Sequence, residues 1–582
     1  MAALLIALAI ALPWAGALAV WVAGDRRPRA QHGLAVFFAA AGGLCGLGLL
    51  GVPSSETVIR VPVGGVFGDF TFVPDGLGIF LAAIATVIGS MAVLFSVEYM
   101  KGEAQLGRYY AFVLLFIGAM AGLVLTSSLL LLFFFWEITA LTSYALISFH
   151  NDDPKAVAGG IKALVITQLG GIGLLVGALV AYVNLGSYDI GLFLARSHSL
   201  PPQVLTVIAF GFLVAAAAKS AQVPFHTWLP DAMEAPTPVS ALIHAATMVN
   251  AGVYVLARFS PAFEQVAGWS TAVALVGMVT ALLAACMAVV TDDLKRVLAY
   301  STVSQLGYMV FAIGAGSALA GSFHLLSHAV FKALLFLGAG AVIHAIGTRD
   351  MRQMGGLGRQ MPWVSSMFLV GACALAGIPP MNGFWSKELV LETALGHGAW
   401  WGFVALLVGA GLTALYTARM VWSVFFGAPR AHHHAHDAGP AMRIPLVLLA
   451  FGTLTTWLLF GPFAHMLAEV LPGVHDESTL AFAVHVMTDP ATWLAMGIVA
   501  GGLLLWHIRA RLAALVGRLS LAAQVAAEGF GFETVNRFVT QAVRSTATAL
   551  QRTQTGDLSW NAVGIVGALI LVLILLAWGG IP

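Results

Sequence analysis

Val207–Gln222 reads VIAFGFLVAAAAKSAQ, an apolar run whose single charge is the ammonium of Lys219, and it breaks at Pro224. The layout returns at Phe368–Gly377, FLVGACALAG, which breaks at Ile378-Pro379-Pro380 and resumes as MNGFWSKELVLETAL with Lys387. A charge at bilayer depth is costly, so it faces a wet cavity or a partner and marks an ion path. Two such lysines, each beside a proline-broken apolar helix, point to a transporter built from internal repeats.

The rest of the chain supports that reading. Of its 582 residues 60% are hydrophobic and 9% charged, against roughly 25% charged in a soluble domain. The expected fold is an all-α polytopic membrane protein with about 16 transmembrane helices. The expected spans are 2–23, 33–51, 76–97, 109–127, 129–149, 161–185, 203–223, 238–258, 268–290, 297–315, 321–346, 362–397 (broken), 401–426, 444–471, 489–507 and 559–579. The first of these has no positive n-region and is too long for a signal-peptide core, so it reads as a retained span. A net charge of +1 gives no reason to expect a nucleic-acid partner. Cys45, Cys286 and Cys373 lie far apart in apolar runs, a spacing that suits neither a disulfide framework nor a metal site.

Basic residues orient the spans. Arg26, Arg27 and Arg29, Lys101 and Arg108, Lys155, Lys295 and Arg296, Arg349, Arg352 and Arg359, and Arg430 and Arg443 all fall in odd-numbered loops. Even loops hold little beyond Arg60 and Arg196. By the positive-inside rule the odd loops are cytoplasmic and both termini face outward. The alternation of apolar and polar residues through 53–74, around Gly64-Gly65, predicts an outer β-hairpin.

The layout divides into 1–108 (helices one to three with the hairpin), 109–260 (helices four to eight), 261–428 (helices nine to thirteen) and 429–507 (helices fourteen and fifteen). A lateral amphipathic helix over 508–557 and a C-terminal anchor helix in 558–582 follow. Each middle unit has five helices and one broken member, the seventh or the twelfth. An odd number makes the two units inverted repeats. The 508–557 stretch spreads Arg509, Arg511, Arg518, Arg537, Arg544 and Arg552 among apolar residues, which predicts a cytoplasmic surface helix interrupted near Gly529–Gly531.

Ionisable residues within the apolar runs define the candidate site. They are Glu137 in LLLLFFFWEITALTSYALI, Lys219, His244, then His324, His328 and Lys332 in SFHLLSHAVFKALLF, and last Lys387 with Glu388. The spacing i, i+4, i+8 puts His324, His328 and Lys332 on one helix face, a natural proton wire. Taken alone, His244 fits equally well as a histidine bonding a neighbouring carbonyl, and Glu388 as a helix-end residue facing water. An isolated carboxylate among the phenylalanines around Glu137 calls for a cationic partner, and Lys219 is the candidate. At about 4 Å and an effective dielectric near 20, such a pair interacts by about 4 kcal/mol, equivalent to about 3 pKa units. Moving Glu137 relative to Lys219 would then load or release a proton. AHHHAHD at 431–437 has no anchoring second cluster and reads as a solvated loop, so no metal is expected. No phosphate cradle, CxxC pair, flavin or haem motif appears, so no cofactor is expected in this chain and redox chemistry would have to reside in partners.

HTWLPDAMEAPTPVSALIHAATMVNAGVYVLAR at 226–258 resembles the antiporter-like proton-pumping subunits of complex I, above all the subunit-L type. TDDLKRVLAYSTVSQLGYM (291–309), FHLLSHAVFKALLFLGAGAVIH (323–344), DMRQMGGL (350–357) and ALAGIPPMNGFWSKE (374–388) resemble the same family. The resemblance implies that Glu137 and Lys219 are the glutamate and lysine of helices five and seven, and His244 the histidine of helix eight. It likewise makes His324, His328 and Lys332 the helix-eleven relay and Lys387 the terminal lysine. It also implies a prokaryotic plasma-membrane location and neighbouring antiporter-like subunits under the 508–557 helix. One departure stands out. Where the subunit-L branch often carries an Arg and an Asp in helix six, TQLGGIGLL has Gln168 and Gly171. That feature resembles instead the large subunit of Mrp-type cation/proton antiporters and related membrane-bound hydrogenases. The expected function is proton translocation as a non-redox subunit of a complex I-type machine, with the Mrp or hydrogenase subunit as the alternative.

Overall fold

A computed structural model describes residues 1–52, 59–396, 398–430, 435–512 and 517–553. Its long helices are α1 (Ala2–Ala23), α2 (Pro28–Leu49), α3 (Gly76–Tyr99), α4 (Leu106–Leu125), α5 (Leu129–Ile147), α6 (Pro154–Leu185), α7 (Pro202–Lys219), α8 (Thr237–Phe263), α9 (Trp269–Val290), α10 (Leu294–Gly314) and α11 (Ala318–Ile346). A broken pair follows, α12 (Pro362–Ala376) and α13 (Asn382–Gly396), then α14 (Trp400–Phe426), α15 (Pro440–Ala468), the short α16 (Thr479–Thr488) and α17 (Pro490–His507). Among the described residues 14 helices are long and apolar enough to cross a membrane. The α12–α13 pair is the broken span, each half too short to be counted alone. These elements match the first fifteen expected spans; the anchor helix and residues 431–434 lie outside the described residues.

Helix starts follow local chemistry. Asp153, Asp293 and Asp75 cap α6, α10 and α3, accepting from the backbone N–H of Lys155, Arg296 and Gly78. With Pro154 at its first position, α6 begins seven residues before the expected 161, because its first turn is polar and reaches beyond the apolar run. The hairpin forms as expected, with β1 (Ile59–Val61) antiparallel to β2 (Phe70–Phe72) in the register Arg60↔Thr71. Residues 53–58 of that expectation fall outside the described set. Ser127 N–H donates to the Thr71 carbonyl at 2.8 Å, tying the hairpin to the α4–α5 connection.

Both expected breaks are present. After α7 the chain leaves helical geometry at Ser220 and re-enters a single turn at Trp228–Asp231. Freed carbonyls are taken up locally: Gln222 N–H donates to Ala217 O at 2.7 Å and Trp228 Nε1 to Ala218 O at 2.9 Å. At the second break Ile378 N–H donates to Cys373 O at 2.9 Å. Irregular backbone is tolerated at membrane depth only where its polar groups are satisfied in this way.

Ion pairs fix which loops share a face. Asp231 bonds Lys162 at 2.8 Å and Arg296 at 2.5 Å. Arg349 bonds Glu234 at 2.6 Å and Asp293 at 2.7 Å, and Arg419 pairs with Asp292. These residues come from the N-terminal part of α6, loops seven, nine and eleven and the end of α14, so three odd loops gather on one side, as the charge alternation requires. Lys295 departs from the expectation. It is 4% exposed and donates to Ala235 O at 2.6 Å instead of facing the aqueous phase.

The described part of the expected lateral helix over 508–557 is helical with an interruption. Residues 508–512 form turns, and two helices follow, Ser520–Ala527 and Phe532–Thr553, with Phe530 between them at φ 52°. The break at Gly529–Gly531 lies where expected. The longer helix has 22 residues and so spans about 33 Å, less than half the length a continuous arm would reach.

Candidate functional site

The eight candidate residues form two clusters with a histidine between them. In the first, Lys219 is fully buried at the end of α7. Its Nζ donates to the Trp136 carbonyl at 2.9 Å and lies 4.8 Å from the centre of the Trp136 ring. A helix C-terminus and an aromatic face both favour a cation. Glu137, next along α5, is only partly buried, and the side chain of Gln168 hydrogen-bonds it. Glu137 Oε1 is buried without a hydrogen-bond partner. Glu137 is the carboxyl that acts electrostatically on Lys219, as expected, while the ammonium's hydrogen bond goes to the Trp136 carbonyl. Trp136, the residue before Glu137 on α5, thus supplies the ammonium's contacts. Gly171 makes the room for this carboxyl; a Cβ there would lie 2.6 Å from Glu137 Oε1.

The second cluster lies along α11 and the broken pair. Lys332 is fully buried, donating to Leu298 O at 3.2 Å and to the Ser301 hydroxyl. His328, one turn back, has both ring nitrogens buried without a partner. His324 follows, 6.3 Å from His328 between ring centres. Its Nε2 is 3.0 Å from Gln305 Oε1 and its Nδ1 2.9 Å from Ser386 Oγ. Ser386 leads directly to Lys387, whose Nζ donates to Leu375 O at 2.5 Å, across the break. Glu388 is 7% exposed. The expected helix face therefore exists, and it runs onto α13 through Ser386.

His244 belongs to neither cluster by contact. It sits in a π-helical segment of α8, Leu242–Ala246, between the rings of Trp228 and Phe336 at 6.1 and 6.0 Å. Neither ring nitrogen has a partner, so the alternative of a carbonyl-bonded histidine is not what the structure shows.

The two lysines share a pattern of partners. Lys219 faces Trp136 on the second helix of its unit, and Lys387 lies 6.0 Å from the ring of Tyr308 on α10, the second helix of the other. Sequence reasoning missed one buried pair. Arg258, 5% exposed at the end of α8, bonds Asp75, 8% exposed at the start of α3, at 2.5 Å. The signal available was a lone arginine closing an otherwise uncharged helix. No group of three or more His, Cys, Asp or Glu side chains suited to a metal is found among the described residues.

Comparison with known proteins places this geometry. The family described as NADH:quinone oxidoreductase/Mrp antiporter, TM, matches residues 126–413, a span that contains all eight candidate residues. The N-terminal family of chain 5 of NADH-ubiquinone oxidoreductase (complex I) matches residues 61–110. NADH-quinone oxidoreductase subunit L of Mycobacterium tuberculosis is 40% identical over 517 residues, 85% of this chain and 81% of that one. The chain belongs to the NADH:quinone oxidoreductase/Mrp antiporter family. Other members similar to it include the F420H2 dehydrogenase subunit L of Methanosarcina mazei, 38% identical over 75% of this chain and 73% of that one. Among solved structures, a chain of the Mrp complex from Dietzia sp. superposes with a TM-score of 0.86 at 30% identity, covering 99% of this chain and 63% of the other. The resemblance read from the motifs is thereby upheld, and with it the family shared between complex I and Mrp antiporters.

Proposed function

We propose that this chain is a proton-translocating membrane subunit of a complex I-type oxidoreductase, passing protons along its buried Glu, Lys and His residues while partner subunits carry out the redox chemistry. The observation that carries the reading is the file Lys332, His328, His324, Ser386, Lys387, a run of ionisable and hydroxyl groups at helical spacing through the protein interior. Lys219 and Lys387 are each held by a backbone carbonyl and an aromatic face, and each has a carboxyl acting on it, Glu137 or Glu388. A buried ammonium responds strongly to a change in the charge of such a neighbour, and that is the property a pump needs. Charge arriving at Glu137 acts on Lys219, and His244 is placed to receive the proton between the two clusters. The two middle units act as inverted repeats, with the odd loops cytoplasmic and both termini outside, in a prokaryotic plasma membrane. The chain's neighbours are further antiporter-like subunits.

The relatives at 38–40% identity act with different named electron donors, which fits a subunit that contributes only the proton path. A second reading, the large subunit of an Mrp-type antiporter, is favoured by the match over 99% of the chain to the Dietzia complex. The test is Lys219→Ala and Glu137→Gln in the intact complex, with proton uptake by inverted vesicles measured beside electron transfer. Assembly and uncoupled electron transfer should persist while proton uptake collapses; an assembled Lys219→Ala complex that pumps fully would refute the assignment.

A further inference from the structure

The file of buried groups ends at Lys387 and Glu388, short of the surface. Beyond Glu388, one turn along α13, stands Glu392. Its Oε1 is 3.0 Å from His485 Nε2 on α16. Both side chains border a surface cavity of about 550 Å³, together with Leu395, Thr488 and Asp489. Asp489 caps α17, accepting from Ala491 N–H at 2.9 Å, and Thr492 in the first turn of that helix hydrogen-bonds Glu388. Three elements thus converge on one cavity. The rim carries a carboxylate bonded to an imidazole, and the buried Glu388 beside Lys387 is tied to the same region through Thr492.

We propose that this cavity is the outward mouth of the proton path, with Glu392 and His485 as its release residues. The inference rests on the proton-translocating reading above. A proton leaving Lys387 passes to Glu388, then over one helical turn to Glu392. Imidazole is suited to the last step because it accepts at Nε2 while its Nδ1 releases a proton to water. Neither the lysine nor the buried glutamate reaches the cavity rim, so the transfer needs the i, i+4 pair. An exposed Glu–His pair kept for stability alone would contribute little, and its loss would leave pumping untouched. The position of the cavity fits a mouth on the outer face, since it lies between loops twelve and fourteen, opposite the face that carries the ion-pair network of the odd loops.

Two variants of the full complex test the assignment. Glu392→Gln should lower proton uptake by about 100-fold, the lower end of what a positioned proton-transfer group contributes, with Glu392→Asp retaining most of it. Leu395→Cys, on the cavity wall, should pump normally. Treating intact cells with a membrane-impermeant, negatively charged methanethiosulfonate should then block uptake in vesicles inverted afterwards, and a reducing agent should restore it. The native cysteines, all only partly buried, are controlled for by the same treatment of the unmodified complex. A labelled Leu395→Cys complex that pumps normally, or labelling only from the cytoplasmic side, overturns the proposal even if Glu392→Gln fails to assemble. Normal pumping by an assembled Glu392→Gln complex does so too. If Lys219→Ala abolishes pumping while the labelled mouth has no effect, this inference alone fails. If Lys219→Ala pumps fully, the underlying reading fails first.

Discussion

Replacing Gly171 by alanine separates stability from proton transfer. The added Cβ would stand 2.6 Å from Glu137 Oε1 and 3.5 Å from Trp136 Nε1. Ordinary contact requires the carboxylate to retreat by about 0.8 Å. It can do so cheaply, since it is the far end of a flexible chain, but only by rotating away from the side chain of Gln168 that bonds it. A hydrogen bond to a charged group contributes about 1.5–3 kcal/mol, so the displacement trades that bond for space. Against it, alanine gains about 1 kcal/mol over glycine in a helix interior. Net stability should therefore change by no more than about 2 kcal/mol. Proton transfer is far more sensitive, since a misplacement of about 1 Å can cost up to 100-fold. Gly171→Ala should assemble at the level of the unmodified complex, transfer electrons normally when uncoupled, and lose about tenfold in proton uptake. Gly497→Ala, at a position with no atom within 4 Å, serves as the neutral control. The assay is fluorescence quenching of an acridine dye in inverted vesicles, normalised to subunit content. Unchanged proton uptake in Gly171→Ala would show that the position of the Glu137 carboxyl is not critical and would refute the reasoning.

Four further outcomes are expected. Arg258→Leu strands Asp75 without its partner, and breaking a buried pair costs about 3–5 kcal/mol, so heat inactivation should occur at markedly lower temperature; adding Asp75→Asn should recover most of the loss. Sodium should not move through this chain, because the path is built of lysine and histidine while a hard cation needs oxygen ligands; ²²Na⁺ uptake by reconstituted vesicles that vanishes with Lys219→Ala would contradict this. Deleting 508–582 should weaken assembly with the neighbouring membrane subunits on native gels before it alters electron transfer, and normal assembly and pumping without it would show that this segment does not hold those neighbours. Arg352 beside Asp350 holds its carboxyl below the usual carboxylate range, so the contribution of this pair to loop order is present at neutral pH and lost only as the pH falls through that depressed value; protease sensitivity of the loop should stay flat from pH 8 to about pH 4 and rise below it.

Apolar length and loop charge made the spans legible, because the bilayer imposes both on the sequence directly. Prolines at 224, 379 and 380 likewise announced the broken helices. What stayed hidden depends on how helices rotate against one another. The charges of Glu137 and Lys219 could be paired on paper, yet only the packed structure shows the Trp136 carbonyl bonding the ammonium. Lys295 looked like a loop lysine because it follows two aspartates, but the α10 cap at Asp293 turns it inward to Ala235 O. The Glu392–His485 contact joins residues 93 positions apart, in a region with no periodic signal. The interruption of the lateral helix was legible in Gly529 and Gly531, but not the left-handed conformation of Phe530 between them.

The π-helical turns deserve a mechanical reading. Leu242–Ala246 in α8 and Trp422–Phe426 in α14 each occupy the last helix of a five-helix unit. A π turn packs one more residue into its length than an α turn. If such a turn relaxed, or slid by one position, the adjoining segment would swivel by about 100°. His244 rides inside the first of these turns, hemmed by Trp228 and Phe336. A slipped winding there would turn the imidazole about the helix axis and out of the slot between those two rings.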